Sequence, residues 1–249
     1  MTVIAVPYHL DEHLPDLDLP RPPERVITAD LPAAGTWDRL AVLYAAVAGA
    51  VAGAARDGAV PVITSGDCTT ALGTVAGLQR AGLAPAIVWL DAHGDVQTPE
   101  TTASGYLGGM PLRLLTGYRP ELIAARLGLA PVPEERIVLA GARDLDPPEA
   151  AYLAAAPIRR PAVSALAADG LPDGPLYVHV DLDVLDPAAL PGLRYPAPGG
   201  SSPDELAAAL HRLAATGRVA AVGLACTWYP GRAAAAHLPA SLTSALHLR

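Results

Sequence analysis

The stretch IVWLDAHGD, Ile87–Asp95, decides the fold class and points to the chemistry. An apolar run from Ile87 to Leu90 stops abruptly on Asp91, His93 and Asp95. A short apolar run without polar alternation is a strand buried on both faces, the kind found in parallel sheets. Ligands of such sheets bind beyond the carboxyl ends of the strands, which is where these three polar side chains fall. Residues at i, i+2 and i+4 share one face if the extended conformation continues, so two carboxylates and an imidazole are expected to converge. Buried unpaired carboxylates are costly, and a cation is their natural neutraliser. An ordinary polar strand-to-loop turn is the competing reading, and the donor types weigh against it.

The same logic recurs in LYVHVDLDVLDP, Leu176–Pro187, where an apolar strand releases Asp181 and Asp183. Four carboxylates and one imidazole are more than a single ion uses, whereas two divalent ions bridged by carboxylates accommodate them and generate hydroxide at neutral pH. Mostly oxygen donors with one nitrogen point to manganese, with iron or magnesium behind it. Asp186, just before Pro187, reads as a turn residue. His179, inside the strand, reads as a packed or hydrogen-bonded histidine. A third segment, VITSGDCTTALG, Val62–Gly73, runs a strand into Cys68 at a helix start. A helix N-terminus favours thiolate, but a small buried hydrophobe is the commoner role of a free cysteine.

Further apolar strands are expected at Thr2–Val6, Val60–Thr64, Ala86–Leu90, Arg136–Ala140, Leu176–Val180 and Val219–Leu224. Helices are expected at Trp37–Ala55, Thr69–Arg80, Pro120–Leu127, Pro148–Ala154, Ser202–Ala214 and Ala233–Leu248. The alternation predicts an α/β chain: a three-layer αβα sandwich with a mostly parallel central sheet, covered on both faces. No linker or repeat interrupts it, so residues 1–249 read as one domain.

Hydrophobic residues make up 51% and charged residues 17%, enough for a large core. The net charge of −8 without a basic run argues against nucleic acid as a partner. Two cysteines are too few for a secreted disulfide framework. The N-terminus lacks the basic and apolar regions of a signal peptide, and the alanine-rich run Leu40–Ala55 is too short and weakly apolar for a membrane span. A cytoplasmic location is the expectation. His9 and His13 lie in a polar loop that could line a pocket, although surface histidines are the commoner reading.

The segments SGDCT, DAHGD and DLDVLDP, in this order and spacing, resemble the motifs of the arginase, agmatinase and formimidoylglutamase superfamily, from about Val3 to Trp228. The resemblance implies an arginase-like fold and a two-manganese hydrolase of guanidines or amidines. It implies that Asp91 and Asp181 bridge the ions, that Cys68 and Asp95 complete one shell, and that His93 and Asp183 complete the other. Asp95 would also relay the proton of the attacking hydroxide. A small-molecule guanidine is the implied partner, and relatives often form homo-oligomers. TPETTASGYLGGMP, Thr98–Pro111, resembles the arginase loop that grips the amino-acid end of arginine, with Ser104 on a carboxylate-contacting position and Gln97 where arginases have asparagine. GARDLDPPE, Gly141–Glu149, resembles the segment whose aspartate receives the α-amino group, here Asp146 with Glu149 in support. The same residues are also good helix-start chemistry.

Three departures narrow the reading. Cys68 replaces the usual histidine ligand and, being softer, suits manganese less well. Gly108 stands where a proton-shuttling histidine is usual. VGLACTWYPG offers Cys226 or Thr227 in place of the glutamate that holds the guanidinium. The Cys-for-His change, the GYLGGM loop and the GxRD segment together resemble the Nω-hydroxy-L-arginine hydrolases of D-cycloserine biosynthesis. A hydroxyguanidine is less basic than a guanidine and needs less countercharge. Agmatine, guanidinobutyrate and formimidoylglutamate hydrolysis are the alternative substrates, and a metal-binding pseudoenzyme is the alternative class.

Overall fold

The computed structural model describes residues 1–231 and 234–246. Its strands are β1 (Thr2–Val6), β2 (Tyr8–His9), β3 (Glu12–His13), β4 (Arg25–Val26), β5 (Pro61–Ser65), β6 (Ala86–Leu90), β7 (Ile137–Ala140), β8 (Leu176–Asp181) and β9 (Val219–Ala225). Its α-helices are α1 (Thr36–Arg56), α2 (Ala71–Arg80), α3 (Pro111–Leu115), α4 (Ala124–Leu127), α5 (Pro147–Ala155), α6 (Pro203–Ala215) and α7 (Ala240–Ala245). Seven strands form one sheet in the order β4-β1-β5-β9-β8-β6-β7, and every neighbouring pair in it is parallel. Strands β2 and β3 make a separate antiparallel ribbon.

The period of two along each strand divides the core. Ile87 and Trp89 join the layer formed with α1 to α5, whereas Val88 and Leu90 join the layer formed with α6 and α7. This is the expected three-layer αβα arrangement. The six predicted strands are present to within a residue at each end. The seventh, β4, is a two-residue exposed edge, too short and polar to announce itself in the sequence and a poor template for further pairing.

Helix α1 is long and apolar enough to cross a membrane by length and composition. In the fold, its stripe Leu40, Leu43, Tyr44, Val47 and Val51 is fully buried in the core it shares with α2. Helix α6 begins with Pro203 at its first turn and a reciprocal cap, Ser202 N donating to Glu205 Oε2 at 2.8 Å and Glu205 N donating to Ser202 Oγ at 3.2 Å.

Two helix expectations are corrected. Only Ala124–Leu127 of Pro120–Leu127 is α-helical, because Ile123 adopts φ −154°, ψ −40° and breaks the register. Over Ala233–Leu248 the chain forms a 3₁₀ turn at Ala234–His237 and then α7, with Pro239 at the boundary. Ala233, His247 and Leu248 lie outside the described residues. Helix α3 was not anticipated from the GGMP sequence that leads into it.

The topology sets four neighbouring strands side by side at the centre of the sheet, β5, β9, β8 and β6. Their carboxyl ends release Cys68, Thr227, Asp181 and Asp91 toward the same edge.

Candidate metal centre

Beyond β6 the chain does not stay extended, contrary to the geometry assumed for Asp91, His93 and Asp95. It curls. His93 N donates to Asp91 Oδ1 at 2.7 Å, and Asp95 takes φ +54°, a left-handed conformation that aspartate tolerates better than most residues. The three side chains converge through this turn rather than through strand periodicity. At the end of β8, Asp183 N donates to Asp181 Oδ1 at 2.9 Å. Ala92 N donates to Asp183 Oδ1 at 3.1 Å, tying the two loops together.

Arg143 holds the second loop from outside. Its guanidinium donates to the carbonyls of Asp183, Val184 and Leu185 and to those of Ala197 and Pro198, at 2.8–3.3 Å. Asp186, as expected, makes a turn, accepting from Ala188 N at 2.8 Å.

Asp91, Asp95, Asp181 and Asp183 are each at most 4% exposed. Cys68 Sγ lies 3.0 Å from Asp181 Oδ2 and 3.7 Å from Asp91 Oδ2. His93 Nδ1 lies 3.0 Å from Asp183 Oδ2 and 3.4 Å from Asp91 Oδ1. Burial raises the Asp181 carboxyl to about 7, with repulsion from Asp183 adding to it. Burial and then Asp91 raise Asp183 to about 6. Burial followed by Asp91 lifts Asp95 well above the usual range. Burial works against charge on His93, but its bonds to Asp183 and Asp91 outweigh it and push the ring to about 12. The Cys68 thiol is raised by burial and by the three carboxylates around it.

One imidazolium cannot balance four carboxyls, and Asp95 Oδ2 is buried with no hydrogen-bond partner among the described residues. Two donor clusters share Asp91: Asp91, His93 and Asp183 form one, and Cys68, Asp91 and His179 form the other, each with its donor atoms within 4.8 Å of one another. Oxygen, nitrogen and sulfur donors crowded to this degree fit divalent cations.

Cys68, Asp91, His93 and Asp183 floor a cavity of about 370 Å³ whose walls include Gln97, Ser104, Asp146 and Glu149, while His179 lies behind it. Gln97 Nε2 donates to Asp146 Oδ2 at 2.8 Å. Asp146 is also the N-cap of α5, with its N–H donating to Glu149 Oε2 at 3.2 Å, so one residue both caps the helix and lines the cavity. Glu149 Oε1 accepts from Val96 N at 3.3 Å and buttresses the Asp91–Asp95 turn.

The structure also settles the placement of residues around the cavity that the sequence left as alternatives or did not single out. His9 is buried, not a surface residue, and its Nε2 lies 2.9 Å from the Tyr106 hydroxyl. Tyr106 stacks on His9 and packs against Tyr195 over the cavity. A Cβ at Gly108 would lie 2.2 Å from the Tyr106 ring, so only glycine admits that ring. Thr227, not Cys226, faces the cavity, and its Oγ1 donates to Asp181 Oδ1 at 2.6 Å. Cys226 and Trp228 are buried in the opposite layer. Alternating strand polarity could have separated Thr227 from Cys226. The Tyr106–Gly108 fit carries no sequence signal.

Residues 15–227 match the family described as the arginase family. An Nω-hydroxy-L-arginine amidinohydrolase from Streptomyces lavendulae is 34% identical over 158 residues, 62% of this chain and 56% of that protein. An arginase from Bacillus caldovelox is 32% identical over 183 residues, 68% of this chain and 61% of that protein. The chain thus spans little more than half the length of these curated relatives. The crystal structure of an arginase from Bacillus cereus superposes with a TM-score of 0.82 at 25% identity, covering 99% of this chain and 96% of that one.

Proposed function

The chain belongs to the arginase family, and from that premise we propose that it hydrolyses a guanidine C–N bond, with Nω-hydroxy-L-arginine or a related amino-acid guanidine as substrate. The observation that carries this is the pairing of two donor clusters through Asp91 at the floor of a cavity whose wall holds the bonded pair Gln97 and Asp146.

In this reading Asp91 and Asp181 would be the carboxylates shared by two divalent cations. His93 and Asp183 would help hold one ion, with manganese suited to oxygen and imidazole donors, and Cys68 and Asp95 would help hold the other. Bound cations supply Lewis acidity and a nucleophile drawn from water at neutral pH. The protein's own residues do the rest. Thr227 fixes one oxygen of Asp181, and the backbone of the two loops fixes Asp91 and Asp183, so the donors are preorganised. Asp95 Oδ2, with no hydrogen-bond partner among the described residues, receives a proton and returns it to the leaving amine.

Asp146 takes the substrate's α-amino group, Gln97 holds Asp146 in place, and Ser104 reaches the α-carboxylate. Tyr106 and Tyr195 exclude water above the reacting end. Where the family's usual glutamate would stand, the wall offers the hydroxyl of Thr227, which suits a weakly basic hydroxyguanidine better than a fully cationic guanidinium. The two buried cysteines are unpaired, as a reducing cytoplasm would keep them. One domain carries all of these parts.

The test is a product assay of manganese-reconstituted protein on Nω-hydroxyarginine, arginine and agmatine. Ornithine released mainly from hydroxyarginine supports the reading, with Asp146→Asn raising KM for that substrate more than for agmatine. A preference for agmatine, untouched by Asp146→Asn, removes Asp146 from its role. No turnover of any guanidine with full metal occupancy ends the activity claim.

A further inference from the structure

His179 has no assigned part in this chemistry, yet it lies against it. It stands two residues before Asp181 on β8, so the two side chains share a face. The residue is 2% exposed. Its ring stacks on Trp89, centroids 3.7 Å apart and planes 19° apart, and Trp89 Nε1 in turn donates to Asp91 Oδ2 at 3.1 Å. Nδ1 lies 3.0 Å from the Tyr177 hydroxyl. Nε2 is buried with no partner among the described residues. An apolar residue would fill this position without leaving a polar atom unsatisfied, so packing alone does not explain the imidazole.

Two further observations place the ring beside the other donors. The donor atoms of Cys68, Asp91 and His179 lie within 4.8 Å of one another. A Cβ at Gly223 would lie 2.1 Å from the Tyr177 hydroxyl and 3.0 Å from His179 Nδ1, so glycine on β9 keeps the space in which this pair sits. With Nδ1–H donating to the Tyr177 oxygen, the Nε2 lone pair is open to a cation. This is the arrangement by which metal-binding histidines are ordinarily oriented.

Resting on the reading that the cavity holds two cations, we infer that the centre is asymmetric: Cys68 and His179 jointly hold a zinc-class ion, bridged by Asp91 to manganese at His93 and Asp183. Thiolate plus imidazole is the donor pair that zinc prefers, whereas imidazole with carboxylates suits manganese. The nitrogen that Cys68 does not supply comes from below, out of the strand.

The experiment uses the full chain, stripped with chelator, then given one equivalent of zinc with manganese in excess. The expected result is one zinc retained per chain, with manganese filling the second position. X-ray absorption at the zinc edge is expected to show one sulfur at about 2.3 Å and an imidazole nitrogen at about 2.0–2.1 Å. His93→Gln keeps that shell. His179→Gln removes its imidazole and weakens zinc at least tenfold.

A sulfur shell without imidazole overturns the assignment of His179. Imidazole without sulfur places zinc on the His93 side and overturns the asymmetry. Should His179→Gln fail to fold, the wild-type and His93→Gln spectra still decide the matter. A sulfur-and-imidazole zinc shell in a protein that turns over no guanidine leaves the metal assignment standing and ends only the activity reading.

Discussion

Removing the metal should invert the pH dependence of stability, and the size of the effect follows from the crowding of the carboxyls. In the folded, metal-free protein Asp181 holds its proton up to about 7, against an ordinary 3.8. The folded state therefore binds more protons than the unfolded chain between these values, and stability falls as pH rises through the window. The loss from this one group is roughly 4 kcal/mol at about 1.4 kcal/mol per pH unit. Asp183, raised to about 6, acts in the same direction. So does His93, whose stabilising charge is fully present below 6.5 and fades as pH climbs toward about 12.

For a chain of this size roughly 4 kcal/mol corresponds to a Tm change of about 8–16 °C. The assay is thermal unfolding in chelator from pH 4 to pH 8, comparing wild type with Asp181→Asn, which cannot ionise there. The metal-free wild type should lose about that much Tm relative to the variant as pH rises. With saturating metal the trend should reverse, since ions compete with protons for the same atoms. Parallel wild-type and variant curves in chelator would refute the reasoning that burial and mutual repulsion dominate this site.

Three other outcomes are expected. Asp181→Ala removes a shared ligand and should abolish binding of both metals and all turnover; two metals per chain by elemental analysis would contradict the bridging role. Cys68→His should tighten manganese on that side at least tenfold by competition titration, and unchanged affinity would mean that Cys68 is merely packed. Gly108→Ala places a methyl group in the Tyr106 ring, so it should expel Tyr106 and raise KM on the order of tenfold while metal content stays level; an unchanged KM would show that Tyr106 does not shape the bound substrate.

The sheet was legible because its strands are apolar runs that end sharply, and Asp91 and Asp181 mark those ends in plain sight. The ligand motifs were legible for the same reason. What failed to show was geometry made between distant segments. His9 meets Tyr106 across 97 positions, and Gly108 is occupied by a ring two residues away. The turn after Leu90 was misjudged because a left-handed aspartate has no pattern in a linear sequence. His179 was read as packed, which its stacking on Trp89 bears out, but periodicity could not show that its second nitrogen would be left without a partner. The broken helix near the C-terminus was marked by Pro239, whose weight was outrun by the alanine-rich run around it.

The Arg143 clamp separates the shape of the site from its charge. Its grip on five carbonyls at the two ends of the β8–α6 connection uses none of the carboxylate side chains at the cavity floor. The backbone that carries Asp183 is therefore held by contacts that stay the same whether those carboxylates are protonated or ionised, so titration of the floor alters its charge without releasing the loop that frames it.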